Sequence, residues 1–119
     1  MTYTDKINEV IGGSDVAIFM KGTPAFVMCG NSDRALQALR RTGASVTAID
    51  VLADPAIRQE LTAISGWPTI PQVFVKGELV GGADIVEELE QSGELERTLA
   101  EKLGESYGEQ RAEQTVSLA

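Results

Sequence analysis

Apolar positions along the chain fall into short blocks whose spacing changes with each block. Ile7, Val10 and Ile11 recur at helical spacing, so a helix is predicted from Tyr3 to Ile11, stopped by Gly12-Gly13. Val16 to Met20 is an unbroken apolar run, the pattern of a strand buried on both faces. Lys21-Gly22-Thr23-Pro24 then breaks into a loop. From Asn31 to Arg41 the pattern is helical, with Ala35, Leu36 and Leu39 on one face and Gly43 as the terminator. A second strand is predicted at about Ser45 to Val51. Asp54-Pro55 is a strong start signal, because Asp caps free N–H groups and Pro at the first helical position has none to lose. Ile57, Leu61 and Ile64 carry that helix to about Ser65.

Gln72 to Val75 reads as a third strand and Leu79-Val80 as a fourth, joined by Lys76-Gly77-Glu78. Asp84 with Glu87 three residues on reads as a capping box for the next helix, and Leu95, Leu99 and Leu103 mark the last one. Residues 104–119 are polar and weakly patterned, so a flexible tail is expected after a domain spanning 1–103. Strand–helix–strand order followed by a hairpin predicts an α/β fold. It is a mixed four-stranded sheet with helices on both faces.

Composition narrows the chemistry sharply. The 119 residues hold one cysteine and no histidine. An internal disulfide is excluded by count, and so are Cys/His pairs, Ser-His-Asp triads and His-ligated zinc. Cys29 is the one soft metal ligand. The net charge of −8 argues against nucleic acid and against an anionic membrane as partners. No apolar run approaches the roughly 20 residues of a membrane span. The first residues lack a basic and apolar leader pattern, and a lone thiol suits a reducing compartment, so a cytoplasmic location is expected.

Cys29 follows an irregular loop and opens a helix. Free N–H groups there stabilise a thiolate, and Lys21 adds a positive charge if the loop folds back. By position alone, an inert buried thiol fits equally well. Ser32 stands where a second cysteine would make an internal dithiol, so any disulfide exchange must borrow an outside thiol.

Lys21-Gly22-Thr23-Pro24, four residues, and then Cys29-Gly30-Asn31-Ser32 resemble the signature of the monothiol glutaredoxins, K-G-(T/S)-P-x-x-P-x-C-G-F-S. Trp67-Pro68-Thr69-Ile70-Pro71-Gln72 and Gly81-Gly82-Ala83-Asp84 are similar to that family's later motifs. The resemblance implies a thioredoxin-like fold with a glutathione groove beside Cys29. It implies that Lys21 and Arg58 pair with a glutathione carboxylate, with Gln72 assisting. Thr69 and Ile70 present backbone to the tripeptide, and Pro71 is expected cis. Gly82, Ala83 and Asp84 are expected to hold the γ-glutamyl end at a helix start. Read alone, these residues suit plainer roles: solvated cations, a trans proline, a glycine turn and a helix cap. Asn31 departs from the family's Phe, Val27 from its Pro, and Ala83 from a frequent Cys or Ser.

Ligand arithmetic gives the function this resemblance implies. A 2Fe-2S cluster needs four outer ligands, usually thiolates. Two chains supply two, and two glutathiones complete the set. The expectation is a homodimer bridged by the cluster, acting as a carrier to apo iron–sulfur acceptor proteins. A partner of the BolA type is implied by the resemblance alone. The alternative is a glutathione-dependent monothiol oxidoreductase that removes glutathione from proteins, and a redox-inert interaction module is a third reading.

Overall fold

The computed structural model describes residues 1–119. Helix α1 (Tyr3–Gly13) opens on a reciprocal cap. The Thr2 hydroxyl accepts from the Asp5 N–H, and the Asp5 carboxylate accepts from the Thr2 N–H. The helix runs through Gly12 and Gly13, past the expected stop, because the Ser14 N–H still reaches the Val10 carbonyl at 3.0 Å. Two glycines weaken a helix without forbidding it.

Strand β1 (Val16–Met20) is buried at every position, as its apolar run requires. A small hairpin replaces the expected loop: β2 (Gly22–Thr23) pairs antiparallel with β3 (Phe26–Val27). Gly22 has φ +94°, and a Cβ there would lie 2.3 Å from the Phe26 carbonyl oxygen, so the hairpin demands glycine. Next come α2 (Gly30–Thr42), β4 (Val46–Asp50) and α3 (Pro55–Ser65). The Asp54 carboxylate caps α3 by accepting from the Ala56 N–H, and it also accepts from the Tyr3 hydroxyl at 2.8 Å, tying α1 to α3.

The remaining elements are β5 (Gln72–Val75), β6 (Glu78–Gly81), α4 (Ala83–Gln91), α5 (Glu94–Leu103) and β7 (Glu113–Thr115). The main sheet has five strands in the order β6-β5-β1-β4-β7. β1 lies parallel to β4 and antiparallel to β5, which gives the expected mixed sheet with one strand more than predicted. That strand comes from the stretch expected to be a flexible tail. β7 runs parallel to β4, and Leu118 beyond it is only 4% exposed. Three residues carry too short a pattern to read as a strand. The free edge of β4 and the buried anchor supply what local sequence lacks.

Alternation along β1 splits the core in two. Val16, Ile18 and Met20 join a cluster with Leu36, Leu39, Leu95 and Leu99 under α2, α4 and α5. Ala17 and Phe19 join Ile7, Ile57 and Leu61 under α1 and α3. Each fully buried large side chain contributes about 1.5–3 kcal/mol. One helix start differs from expectation. Gly82, in extended conformation, is the cap of α4, and Asp84 is already inside the helix with no capping bond. The Asp84 and Glu87 carboxylates turn instead to Arg34 on α2, so the predicted capping box does not form.

Candidate functional site

Cys29 is the residue immediately before α2, in extended conformation (φ −154°, ψ 129°), and its side chain is half-buried. The N–H groups of the first helical turn therefore converge near its sulfur. The Ser32 backbone N–H does most to pull the thiol below its ordinary pKa. The Ser32 hydroxyl, the Asn31 N–H and the Lys21 charge add to it, while partial burial works against it. Ser32 is fully buried, and its hydroxyl oxygen accepts from the Lys21 N–H at 3.0 Å. Where a dithiol protein would carry its second sulfur, this serine pins the hairpin to the helix start. Asp50, at the end of β4, accepts from the Gly22 N–H at 2.9 Å and fastens the other side of the hairpin. The thiol is thus held at the carboxyl ends of two parallel strands, where α/β sheets place their ligands.

A groove of about 280 Å³ opens next to this helix start. The Ile70–Pro71 bond is cis, as expected. Thr69, Ile70 and Pro71 form one wall, Gly82, Ala83 and Asp84 the other, and Trp67, Ile85 and Asn31 close it. Six of the residues expected at the site therefore line one cavity. Gly82 lies close to the opposite wall: a Cβ there would lie 3.3 Å from Trp67 Nε1 and 3.4 Å from the Pro71 carbonyl oxygen, a tight fit.

The other expected residues are placed differently. Gln72 is fully buried. Its Nε2 donates to the carbonyls of Trp67 at 2.9 Å and Thr69 at 3.3 Å, so it shapes the loop that forms one wall of the groove. A glutamine at the start of a strand gave no hint that the loop before it folds back over its amide. Arg58 is exposed on α3 and lines a second, open depression with Pro55, Gln59, Thr62 and Pro68. Pro68 sits between Trp67 and Thr69, so the same loop borders both depressions. Lys21 lines neither and acts on the Cys29 sulfur through its charge.

Sequence reasoning placed Asn31 beside the thiol but not in the groove wall, and it gave Arg34 no role. The two lie three apart on α2, a spacing that puts them on one helix face. Arg34 Nη1 donates to Asn31 Oδ1 at 3.1 Å, and Arg34 Nη2 donates to Asp84 Oδ1 at 2.8 Å. No group of three or more His, Cys, Asp or Glu side chains gathers to hold a metal, so Cys29 is the thiolate this chain can offer.

Comparison with known proteins agrees with this layout. The glutaredoxin family profile matches residues 16–80. Glutaredoxin 4 of Pasteurella multocida is 46% identical over 101 residues, covering 85% of this chain and 93% of the relative. Monothiol glutaredoxin-S11 of Oryza sativa is 48% identical over 82% of this chain, which spans about 20% of that longer protein. A solved structure of a monomeric truncated mutant of Trypanosoma brucei 1-C-Grx1 superposes with TM-score 0.78 at 41% identity. The match covers 86% of this chain and 93% of that one. The thioredoxin-like architecture of those proteins is the architecture described above. With one cysteine, set immediately before α2 beside a cis-proline groove, this chain belongs to the monothiol glutaredoxin family.

Proposed function

We propose that this chain binds glutathione in the groove beside Cys29 and that two copies together carry a 2Fe-2S cluster as cargo for acceptor proteins. The observation that supports it most is Cys29 itself: half-exposed, with a lowered pKa, at a helix start next to a preformed groove. The donor set fits the cargo in kind and number. One thiolate per chain cannot hold the cluster, and two chains with two glutathione thiols supply four.

In this reading Ile70 pairs its backbone with the extended tripeptide. Arg58, at the neighbouring depression, takes the glycine carboxylate, since a guanidinium fork suits that group. The first N–H groups of α4 and the Asp84 carboxylate take the two charges of the γ-glutamyl end. Ser32 and Lys21 favour the thiolate form of Cys29 by lowering its pKa. Half of the ligands are then exchangeable small molecules, which makes release to an acceptor easy. A BolA-type protein would replace one chain by offering its own ligand. The cytoplasm, where glutathione is reduced, is the compartment in which this works. No helix of the chain is long and apolar enough to cross a membrane.

The lowered Cys29 pKa supports a second reading, removal of glutathione from proteins. The Cys29 thiolate attacks the glutathione sulfur of a mixed disulfide and releases the protein thiolate. A second glutathione thiolate then attacks that sulfur, giving glutathione disulfide and restoring Cys29. Anaerobic reconstitution with iron, sulfide and glutathione separates the two. The carrier reading expects visible cluster absorbance and a dimer, both lost in Cys29→Ser and both absent without glutathione. A colourless monomer that rapidly reduces a glutathione mixed disulfide would establish the oxidoreductase instead.

A further inference from the structure

We propose that Arg34 is a positioning residue of the groove, holding Asn31 and Asp84 across its mouth and balancing the charge that meets the γ-glutamyl end of the ligand. The proposal rests on the reading that this groove takes glutathione. Arg34 lies on the second turn of α2, and its fork reaches both walls. Nη1 donates to Asn31 Oδ1 at 3.1 Å, on the helix that Cys29 opens. Nη2 donates to Asp84 Oδ1 and to Glu87 Oε1, each at 2.8 Å, on the helix that begins at the opposite wall.

Two facts turn this from a surface ion pair into part of the site. The Asp84 side chain is 89% exposed, so packing does not hold it, and Arg34 is the side chain that contacts it. Asp84 Oδ1 is spent on Arg34, which leaves Oδ2 for a ligand ammonium. In the same way Asn31 Oδ1 is spent on Arg34, which leaves the Nδ2 donor at a wall of the groove.

Charge supplies the second part of the argument. The γ-glutamyl end of glutathione carries an ammonium and a carboxylate side by side. Asp84 and Glu87 alone would bring two negative charges to the start of α4, attracting the ammonium but repelling the carboxylate. Arg34 halves that negative charge and leaves the α4 N–H groups free to hold the carboxylate. Exposed ion pairs of this kind add little to fold stability, so removing Arg34 should move binding more than folding.

Titration of the full chain by NMR, with reduced glutathione and separately with cysteinylglycine, tests this, because cysteinylglycine lacks the γ-glutamyl residue. Arg34→Ala should weaken glutathione binding roughly fivefold, the scale of one lost ion pair. Its affinity for cysteinylglycine and its melting temperature should stay unchanged. Arg34→Lys, which keeps the charge but loses the fork, should fall in between. Unchanged glutathione affinity in Arg34→Ala overturns the proposal and leaves the groove reading intact. An equal loss for both ligands also overturns it, since that marks a general structural effect. A wild-type chain that ignores glutathione removes the groove reading, and the role of Arg34 with it.

Discussion

Two stretches of this chain look irregular in sequence, and both fold into short strand pairs, with opposite results for their apolar side chains. The hairpin before Cys29 turns Phe26 and Met28 outward, 78% and 69% exposed. The C-terminal stretch turns Leu118 inward, 4% exposed, among Ile7, Ile11 and Phe74. The hairpin is fastened mainly by backbone and polar contacts, Met28 N–H to the Lys21 carbonyl, Lys21 N–H to Ser32, and Gly22 N–H to Asp50, with Val27 resting half-buried on the core. The C-terminal stretch adds a buried anchor and an ion-paired carboxylate to its backbone pairing with β4. The hairpin places a reactive sulfur, and the C-terminal stretch closes a sheet edge that would otherwise be open to pairing with other chains.

The sharpest way to break this contrast is Leu118→Ala. If the C-terminal stretch contributes to the core, the substitution should cost about 2–4 kcal/mol in denaturant unfolding, as buried leucines do. A loss below about 0.5 kcal/mol, the scale of a bland surface change, would return these residues to the status of a loose tail. Glutathione affinity should change far less than stability: Leu118 is not among the residues that line the groove, although it shares a core cluster with Ile70, which does.

Glu113 gives a smaller and pH-dependent effect. Arg40, and with it Arg111, holds the Glu113 carboxyl down at about 2, against an ordinary value of 4.5. A carboxyl depressed by folding lends its stability above the unfolded pKa and loses it as the solution is acidified. This contribution should be complete above about pH 5 and should fade from there towards pH 2. Glu113→Gln should lower stability by about 1 kcal/mol at neutral pH, a modest ion-pair value. Melting curves of the variant and wild type should converge as the pH falls through that window. Parallel curves at every pH would show that the pairing with Arg40 does not lock β7 in place.

What the sequence made legible follows from how far each signal reaches along the chain. The start of helix α3 was readable because Asp54 and Pro55 act on their immediate neighbours, and its length because Ile57, Leu61 and Ile64 repeat along one face. β1 was readable because burial on both faces leaves no polar position in it. The thiol and most of the groove were legible only through resemblance, since Thr69 to Pro71 and Gly82 to Asp84 lie apart in sequence and meet in space. What escaped was tertiary. Asp84 and Glu87 read as a local cap, but Arg34, fifty residues before Asp84, claims both carboxylates. Gln72 read as a ligand contact, and no local pattern announced that its amide bonds the carbonyls of Trp67 and Thr69. The strand after Ala112 depends on an edge of β4 that no local pattern announces.

The smallest expected effect probes the hairpin. Phe26→Ser removes the largest exposed apolar side chain of that region, and it should change stability by less than about 0.5 kcal/mol. The reason is where the hairpin's hold resides. Thr23 pairs with Phe26 through backbone, and the Thr23 hydroxyl accepts from the Phe26 N–H at 3.2 Å, neither of which needs the ring. Val27, half-buried and packed on the core below, should be the costlier neighbour, and Val27→Ala serves as the control. Thermal unfolding of the two variants side by side checks the ranking. If Phe26→Ser proves as damaging as Val27→Ala, the ring must contribute to the folded hairpin, and the division between a hairpin held by backbone and a C-terminal stretch held by its core anchor is wrong.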